Sequence, residues 1–320
     1  MRRALARLAG GADGEVLAER ADGTVVRVGG RVAKAHDPDA SAGALAVRLA
    51  VAAAEPYAGV LLAPLPGCGP VLLPSGRTAS VWPYGTPVDP EDPGAAPWEA
   101  AGSLLARLHA APLPAPGGLP GPLPPMRGPA KAARALARMR SAPGSALRAA
   151  ARSVEEAWAV LPAWCRGEEP PPRATAVCHG DFHLGQLVRH PVGRGTWCLI
   201  DVDDLGLGDP AWDLGRPACW YATGLLPPDE WERFLGAYVR TLHTVRAAGA
   251  GAGGGLAEAD PWPLLDAPAR AVTVQSAALG VAKARAAGRV LDEAEEACVA
   301  ACARMAAVAD QAELPAPQGP

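Results

Sequence analysis

One stretch constrains this chain more than any other: Cys178-His179-Gly180-Asp181-Phe182-His183-Leu184-Gly185-Gln186, with Leu199-Ile200-Asp201-Val202-Asp203-Asp204 after it. Asp181 precedes the amide Gln186 by five residues, and Asp201 follows Asp181 by twenty. The run Trp197-Cys198-Leu199-Ile200 is apolar and rich in strand formers, so it reads as a buried strand that delivers Asp201 to its end. Carboxylates and an amide oxygen converging from a loop and a strand end make a hard-oxygen site. Mg²⁺ suits such a site, because it takes a few protein oxygens and completes its shell with water and phosphate. Gln186, Asp201 and Asp203 are the candidate ligands.

The spacing is also that of the protein-kinase catalytic loop. There an Asp takes the substrate hydroxyl proton, an amide five residues on holds Mg²⁺, and the Asp of Asp-Phe-Gly holds it again. Here Gly180 stands for the Arg, Gln186 for the Asn, and Asp201-Val202-Asp203 for Asp-Phe-Gly. The motif His179-Gly180-Asp181-x-His183-x-x-Gln186, followed by Ile200-Asp201 and by Gly208-Asp209-Pro210-Ala211-Trp212-Asp213-Leu214, resembles the aminoglycoside phosphotransferase and choline kinase superfamily of small-molecule kinases. Its Leu-Gly-Gln ending looks like that of maltokinase-type members. The resemblance implies an α+β, two-lobed protein-kinase-like fold. Residues 1–85 would form a small antiparallel β N-lobe with a hinge near 82–85, and residues 86–320 a larger, mainly helical C-lobe. It also implies ATP or GTP as co-substrate, Asp181 as catalytic base, and His179 and Asp213 as buried supports of the catalytic loop.

The N-terminal third is consistent with that order. Glu15–Arg20, Thr24–Val28 and Arg31–His36 read as strands separated by Asp22-Gly23 and Gly29-Gly30, both hairpin turn signals. Lys34 near the end of the third strand is the candidate phosphate-binding lysine, and Gly23 the one glycine in the candidate phosphate-covering turn. Gly10, Gly11 and Gly14 precede the first strand and are the material for a displaced loop. Ser41–Ala54 is amphipathic, capped by Ser41 and stopped by Pro56. Its acidic residue is Glu55, and whether Glu55 reaches Lys34 stays open. Gly59–Leu65, Val71–Leu73 and Arg77–Trp82 read as strands. Trp82-Pro83-Tyr84-Gly85 resembles the family's hinge, which implies that Trp82 and Tyr84 meet the nucleobase.

Downstream, Trp98–Ala111 is a core helix whose His109 reads as structural. Residues 112–129 are too proline-dense for helix or central strand. Helical stretches follow at Lys131–Arg140, Ala146–Trp164, Gly215–Thr223, Asp229–Val245, 264–288 and 291–310. A flexible Ala/Gly link is expected over about 247–258, and a Pro-rich tail over 312–320.

Composition narrows the function classes. A net charge of −3 argues against nucleic acid as a partner. Seven scattered cysteines without a Cys-x-x-Cys pair argue against a disulfide framework or structural zinc. The basic start is followed by no continuous apolar stretch, so the expectation is a cytoplasmic protein that meets no membrane, of open oligomeric state. Gly180-Asp181-x-His183 also superficially matches a two-metal phosphoesterase element, but that chemistry wants further His and Asn ligands that the chain does not supply in pattern. Two readings remain. One is an ATP- or GTP-dependent kinase of a small hydroxylated molecule such as an aminoglycoside, sugar or amino alcohol. The alternative is a degenerate kinase fold that binds nucleotide or ligand without turnover.

Overall fold

The computed structural model describes residues 1–67, 69–115, 117–249, 256 and 260–313, with side chains through 308. It divides into two compact units. One comprises Met1–Met126, Thr175–Leu207 and Phe234–Gly255; the other comprises Arg127–Ala174, Gly208–Arg233 and Leu256–Pro320.

The basic start of the first unit folds into a short helix, α1 (Arg2–Leu8), which the sequence pattern did not announce. Strands β1 (Glu15–Glu19), β2 (Thr24–Val28) and β3 (Arg31–Ala35) follow, turning at Asp22-Gly23 and Gly29-Gly30 as expected. Helix α2 (Ala42–Ala53) starts where Ser41 accepts a hydrogen bond from the Ala44 N–H, and ends ahead of Pro56. Strands β4 (Val71–Leu72) and β5 (Thr78–Pro83) complete an antiparallel sheet of order β1-β2-β3-β5-β4. Gly59–Leu65, expected as a strand, forms only isolated bridges, one of them between Leu61 and Leu199. Gly59 has φ +68°, and Pro64 has no N–H to donate, so a continuous ladder cannot form there.

The strand period of two sorts the faces of this sheet. Val26, Ala33, Ala35, Ala79 and Val81 pack with Leu5, Ala6 and Ala9 into one buried apolar cluster. Val32 lies opposite Trp82, and Lys34 opposite Ser80, in the β3–β5 register; these four therefore share the other face. The candidate site is built on that face.

After β6 (Thr86–Pro87) comes α3 (Trp98–Ala110). Two helices of the second unit, α4 (Gly128–Ser141) and α5 (Arg148–Ala159), precede the return to the first unit through β7 (Ala176–Cys178), β8 (Leu187–His190) and β9 (Thr196–Leu199). Strand β10 (Gly206–Gly208) pairs with β7, while β8 lies between β6 and β9. Helices α6 (Ala211–Ala222), α7 (Pro228–Ala247), α8 (Trp262–Ala287) and α9 (Glu293–Glu313) end the described chain. In the first unit α3 and the later part of α7 approach so closely that a Cβ on Gly102 would collide with the Phe234 carbonyl. His109 is fully buried there and hydrogen-bonds Tyr238 Oη at 2.9 Å, a structural role. In the second unit α8 is the central helix, packing against α4, α6 and α9. The link expected over 247–258 and the tail expected over 312–320 lie largely outside the described residues.

An antiparallel β-rich start followed by a mainly helical remainder is the α+β class that the sequence implies. No described helix is long and apolar enough to cross a membrane.

Candidate active site

Strand β7 is buried along its length and runs directly into His179. His179 is buried too, and its Nε2 lies 2.7 Å from the Ile200 carbonyl oxygen, which ties the loop to the residue before Asp201. Gly180 has φ +82°, and a Cβ there would collide with the Asp204 carbonyl. This close approach explains why glycine stands where protein kinases carry arginine: the turn after Asp201 crosses over that backbone. Phe182 is buried and stacks on Phe234, with centroids 6.0 Å apart and planes at 14°. Asp181 is half-buried between these two anchors. His183 caps the turn Leu184–Gln186 by accepting the Gly185 N–H at 3.1 Å. Gln186 is buried, and its carbonyl accepts the Ile200 N–H at 2.9 Å, so it stands across the β8–β9 ladder beside the residue preceding Asp201.

Asp201 has φ +64°, one of two non-glycine residues at positive φ among the described residues. Such a conformation costs a non-glycine residue about 1–2 kcal/mol. Its carboxylate repays part of that cost through two contacts. Oδ1 receives Lys34 Nζ at 2.6 Å and faces the Asp203 N–H at 3.4 Å. Lys34 Nζ also lies 3.0 Å from Asp203 Oδ2. The other oxygen of Asp203 lies 2.6 Å from His36 Nδ1, His36 Nε2 lies 2.7 Å from Ser80 Oγ, and the Trp82 indole N–H donates to the same Ser80 oxygen at 2.8 Å. Burial opposes charge on Lys34, but Asp201 and Asp203 together outweigh it and raise the ammonium's pKa well above its ordinary value. Burial likewise opposes charge on Asp203. The Lys34 ammonium and the His36 hydrogen bond prevail and hold its carboxyl far below the usual carboxylate range.

The acidic partners of Lys34 are thus Asp201 and Asp203. Glu55 is exposed in the turn Glu55–Tyr57 beyond α2. Helix α2 is anchored instead through buried Arg48, whose Nε donates to the Leu205 carbonyl at 2.7 Å.

The remaining candidates have other surroundings. Gly23 closes a tight turn with Arg20; an added Cβ would meet the Ala35 carbonyl oxygen at an ordinary 3.8 Å, so nothing there demands glycine. Gly11 and Gly14 lie so close to Val26, Arg27 and Val28 of β2 that they serve packing onto that strand. The Tyr84 N–H donates to the Gly30 carbonyl at 2.8 Å, and the Tyr84 carbonyl lies 3.0 Å from His190 Nδ1. The Arg27 guanidinium covers the Tyr84 ring at 3.6 Å. Asp213 is buried in the first turn of α6, in the second unit. Asp204 is buried, and Asp229 and Glu230 lie in the first turn of α7, where negative charge suits the helix dipole.

His36 and Ser80 belong to no motif in the sequence. The available signal was the period of two: His36 is two residues past Lys34 and so on its face. Ser80 comes opposite Lys34 only through the β3–β5 register.

Asp201 Oδ1 and Asp203 Oδ2 already converge on one cationic atom, Lys34 Nζ. Two hard carboxylate oxygens that share one cation are a donor pair that fits Mg²⁺. The arrangement can neutralise and orient a polyanionic phosphate group, while the half-buried Asp181 can accept a proton.

Comparison with known proteins bears on the family and the fold. The APH family, described as the Phosphotransferase enzyme family, matches residues 5–262. A choline/ethanolamine kinase family protein from Mesorhizobium loti shares 19% identity at a TM-score of 0.51, covering 95% of this chain and 97% of its own. A thermostable mutant of aminoglycoside phosphotransferase APH(4)-Ia, solved as a ternary complex with AMP-PNP and hygromycin B, shares 18% identity at a TM-score of 0.53, covering 92% and 95%. Choline kinase LicA from Streptococcus pneumoniae shares 12% identity at a TM-score of 0.52, covering 92% and 94%. At these identities the likenesses establish a kinase-like fold. No curated protein sequence matches the chain.

Proposed function

The chain belongs to the phosphotransferase enzyme family, and on that premise we propose that it transfers the γ-phosphoryl group of ATP or GTP to a hydroxyl of a small molecule. The observation that carries this reading is the convergence of Lys34 with Asp201 and Asp203. Phosphoryl transfer needs little covalent help from a protein. It needs positioning and neutralisation of charge on the phosphate oxygens. Asp201, Asp203 and Gln186 would hold Mg²⁺, which when bound supplies charge neutralisation between nucleotide phosphates. Lys34 would turn its ammonium to the phosphates. Asp181 would orient the acceptor hydroxyl and take its proton. Trp82 and Tyr84 would flank the nucleobase, with His179 as a support of the loop.

The structurally similar proteins include one bound to AMP-PNP and hygromycin B and one called a choline kinase. They support a nucleotide donor and a small hydroxylated acceptor, among which aminoglycosides, sugars and amino alcohols are the classes to test. Purified protein with Mg-ATP or Mg-GTP is to be challenged with pools of these compounds beside the Asp181→Asn variant. Turnover in the parent that is lost in the variant supports the proposal and names the acceptor class. Nucleotide binding without transfer in any pool would favour a non-catalytic binding protein. Failure to bind nucleotide would overturn the kinase reading.

A further inference from the structure

We propose that His36 is a positioning residue of the metal-binding site, acting through Asp203; this rests on the assignment of Asp201 and Asp203 to a divalent cation. His36 is 1% exposed, and its backbone is held on both sides: its N–H donates to the Thr78 carbonyl at 2.9 Å, and its carbonyl accepts from Arg77 Nε at 2.7 Å. Its ring therefore has a fixed origin, and both ring nitrogens are used.

The order of donors and acceptors follows from chemistry. An indole N–H only donates, so Trp82 donates to Ser80 Oγ. An ionised carboxylate only accepts, so His36 Nδ1 carries a hydrogen and aims it at Asp203 Oδ1 at 2.6 Å. The far ring nitrogen, Nε2, lies 2.7 Å from Ser80 Oγ, whose hydroxyl can meet it as donor or as acceptor.

The consequence falls on Asp203. Its Oδ1 is committed to the imidazole and its Oδ2 lies 3.0 Å from Lys34 Nζ, so the carboxylate plane cannot rotate without breaking one of the two. Oδ2 is thereby aimed at the same cationic point as Asp201 Oδ1. An imidazole N–H that donates to one oxygen of a carboxylate fixes which oxygen faces a cation. Hydrogen bonds of this outer kind are worth about 10–100-fold in metal affinity. Ser80 and the Trp82 indole extend the brace along β5 to the segment proposed to meet the nucleobase.

The test uses Mn²⁺ as probe with AMP-PNP, reading free Mn²⁺ by electron paramagnetic resonance, alongside kcat and KM for the nucleotide. His36→Leu removes both bonds. His36→Asn keeps an amide N–H near the Nδ1 position. Ser80→Ala removes the distal anchor. The expected result is that Mn²⁺ affinity falls about 10–100-fold in His36→Leu, recovers for the most part in His36→Asn, and falls by a smaller factor in Ser80→Ala. The nucleotide KM should change less than kcat at subsaturating metal. A folded His36→Leu protein with parental Mn²⁺ affinity would overturn the proposal. If His36→Leu does not fold, parental Mn²⁺ affinity in Ser80→Ala would overturn it. If the parent itself binds no Mn²⁺ with AMP-PNP, the metal assignment fails and this proposal falls with it. Parental binding with unaffected variants sinks the role of His36 alone.

Discussion

Lys34 Nζ lies 2.6 Å from Asp201 Oδ1, a contact that joins residues 167 apart in sequence. The same ammonium reaches Asp203 Oδ2, so one cation holds together the two carboxylates of a strained turn.

Replacing Lys34 by Met should destabilise the protein by about 2–3 kcal/mol. That is less than the roughly 3–5 kcal/mol for breaking a fully buried pair, because Asp201 and Asp203 retain some solvent contact. The variant leaves two carboxylates without their counter-charge, so added Mg²⁺ should raise its urea midpoint by more than it raises the parent's. A variant as stable as the parent, or one indifferent to Mg²⁺, would contradict the shared-cation geometry.

Asp181→Asn should lower turnover by about 10²–10⁴-fold, the usual contribution of a positioned base. Asp181 is half-buried and Asn has nearly its shape, so folding and nucleotide affinity should change little. Equal loss of nucleotide binding would show that Asp181 acts in folding or nucleotide contact.

Gly180→Ala should cost about 3 kcal/mol or more, from positive φ combined with collision against the Asp204 carbonyl. Gly180→Arg, which would restore the protein-kinase residue, should do no better. Thermal melting of both variants checks this. A melting temperature within a degree or so of the parent's would refute the close approach.

Stability should fall in acid through Asp203. Its folded carboxyl is depressed, so the stabilisation is fully present above the unfolded value of about 3.9 and drains away as pH drops below it. Urea midpoints between pH 3 and 6 should decline at the acid end in the parent, with a shallower decline in Asp203→Asn. Parallel curves would assign the acid sensitivity to other groups.

Burial, with the charge of Asp209 beside it, pushes the Cys165 thiol up to about 12, and burial pushes Cys302 up to about 12 as well. At neutral pH both should react with a thiol reagent at least about 10³-fold more slowly than an unfolded thiol. Labelling followed by peptide mapping, native against urea-unfolded, would expose any shortfall.

Much of this architecture was legible in the residues. Asp22-Gly23 and Gly29-Gly30 located the hairpins, Ser41 and Pro56 bracketed α2, and the apolar run before Asp201 became β9, because turn chemistry, capping and apolar patterning are local. The spacing of Asp181, Gln186 and Asp201 was likewise readable. Other features were decided only when the chain folded. Helix α1 has too few residues to show a clear period, yet it supplies Leu5 and Ala6, and Ala9 just after it, to the cover of the sheet. Glu55 was the acidic candidate that the α2 segment offered Lys34, but electrostatic partners are chosen in space, and the sheet face turns Lys34 toward Asp201 and Asp203. His36 and Ser80 are unremarkable in sequence. They acquire a role because the β3–β5 register sets Ser80 opposite Lys34 and leaves His36 on that face, within reach of Asp203. Local chemistry determined which elements form and which residues can bear charge. Register and long-range packing decided which of those residues meet.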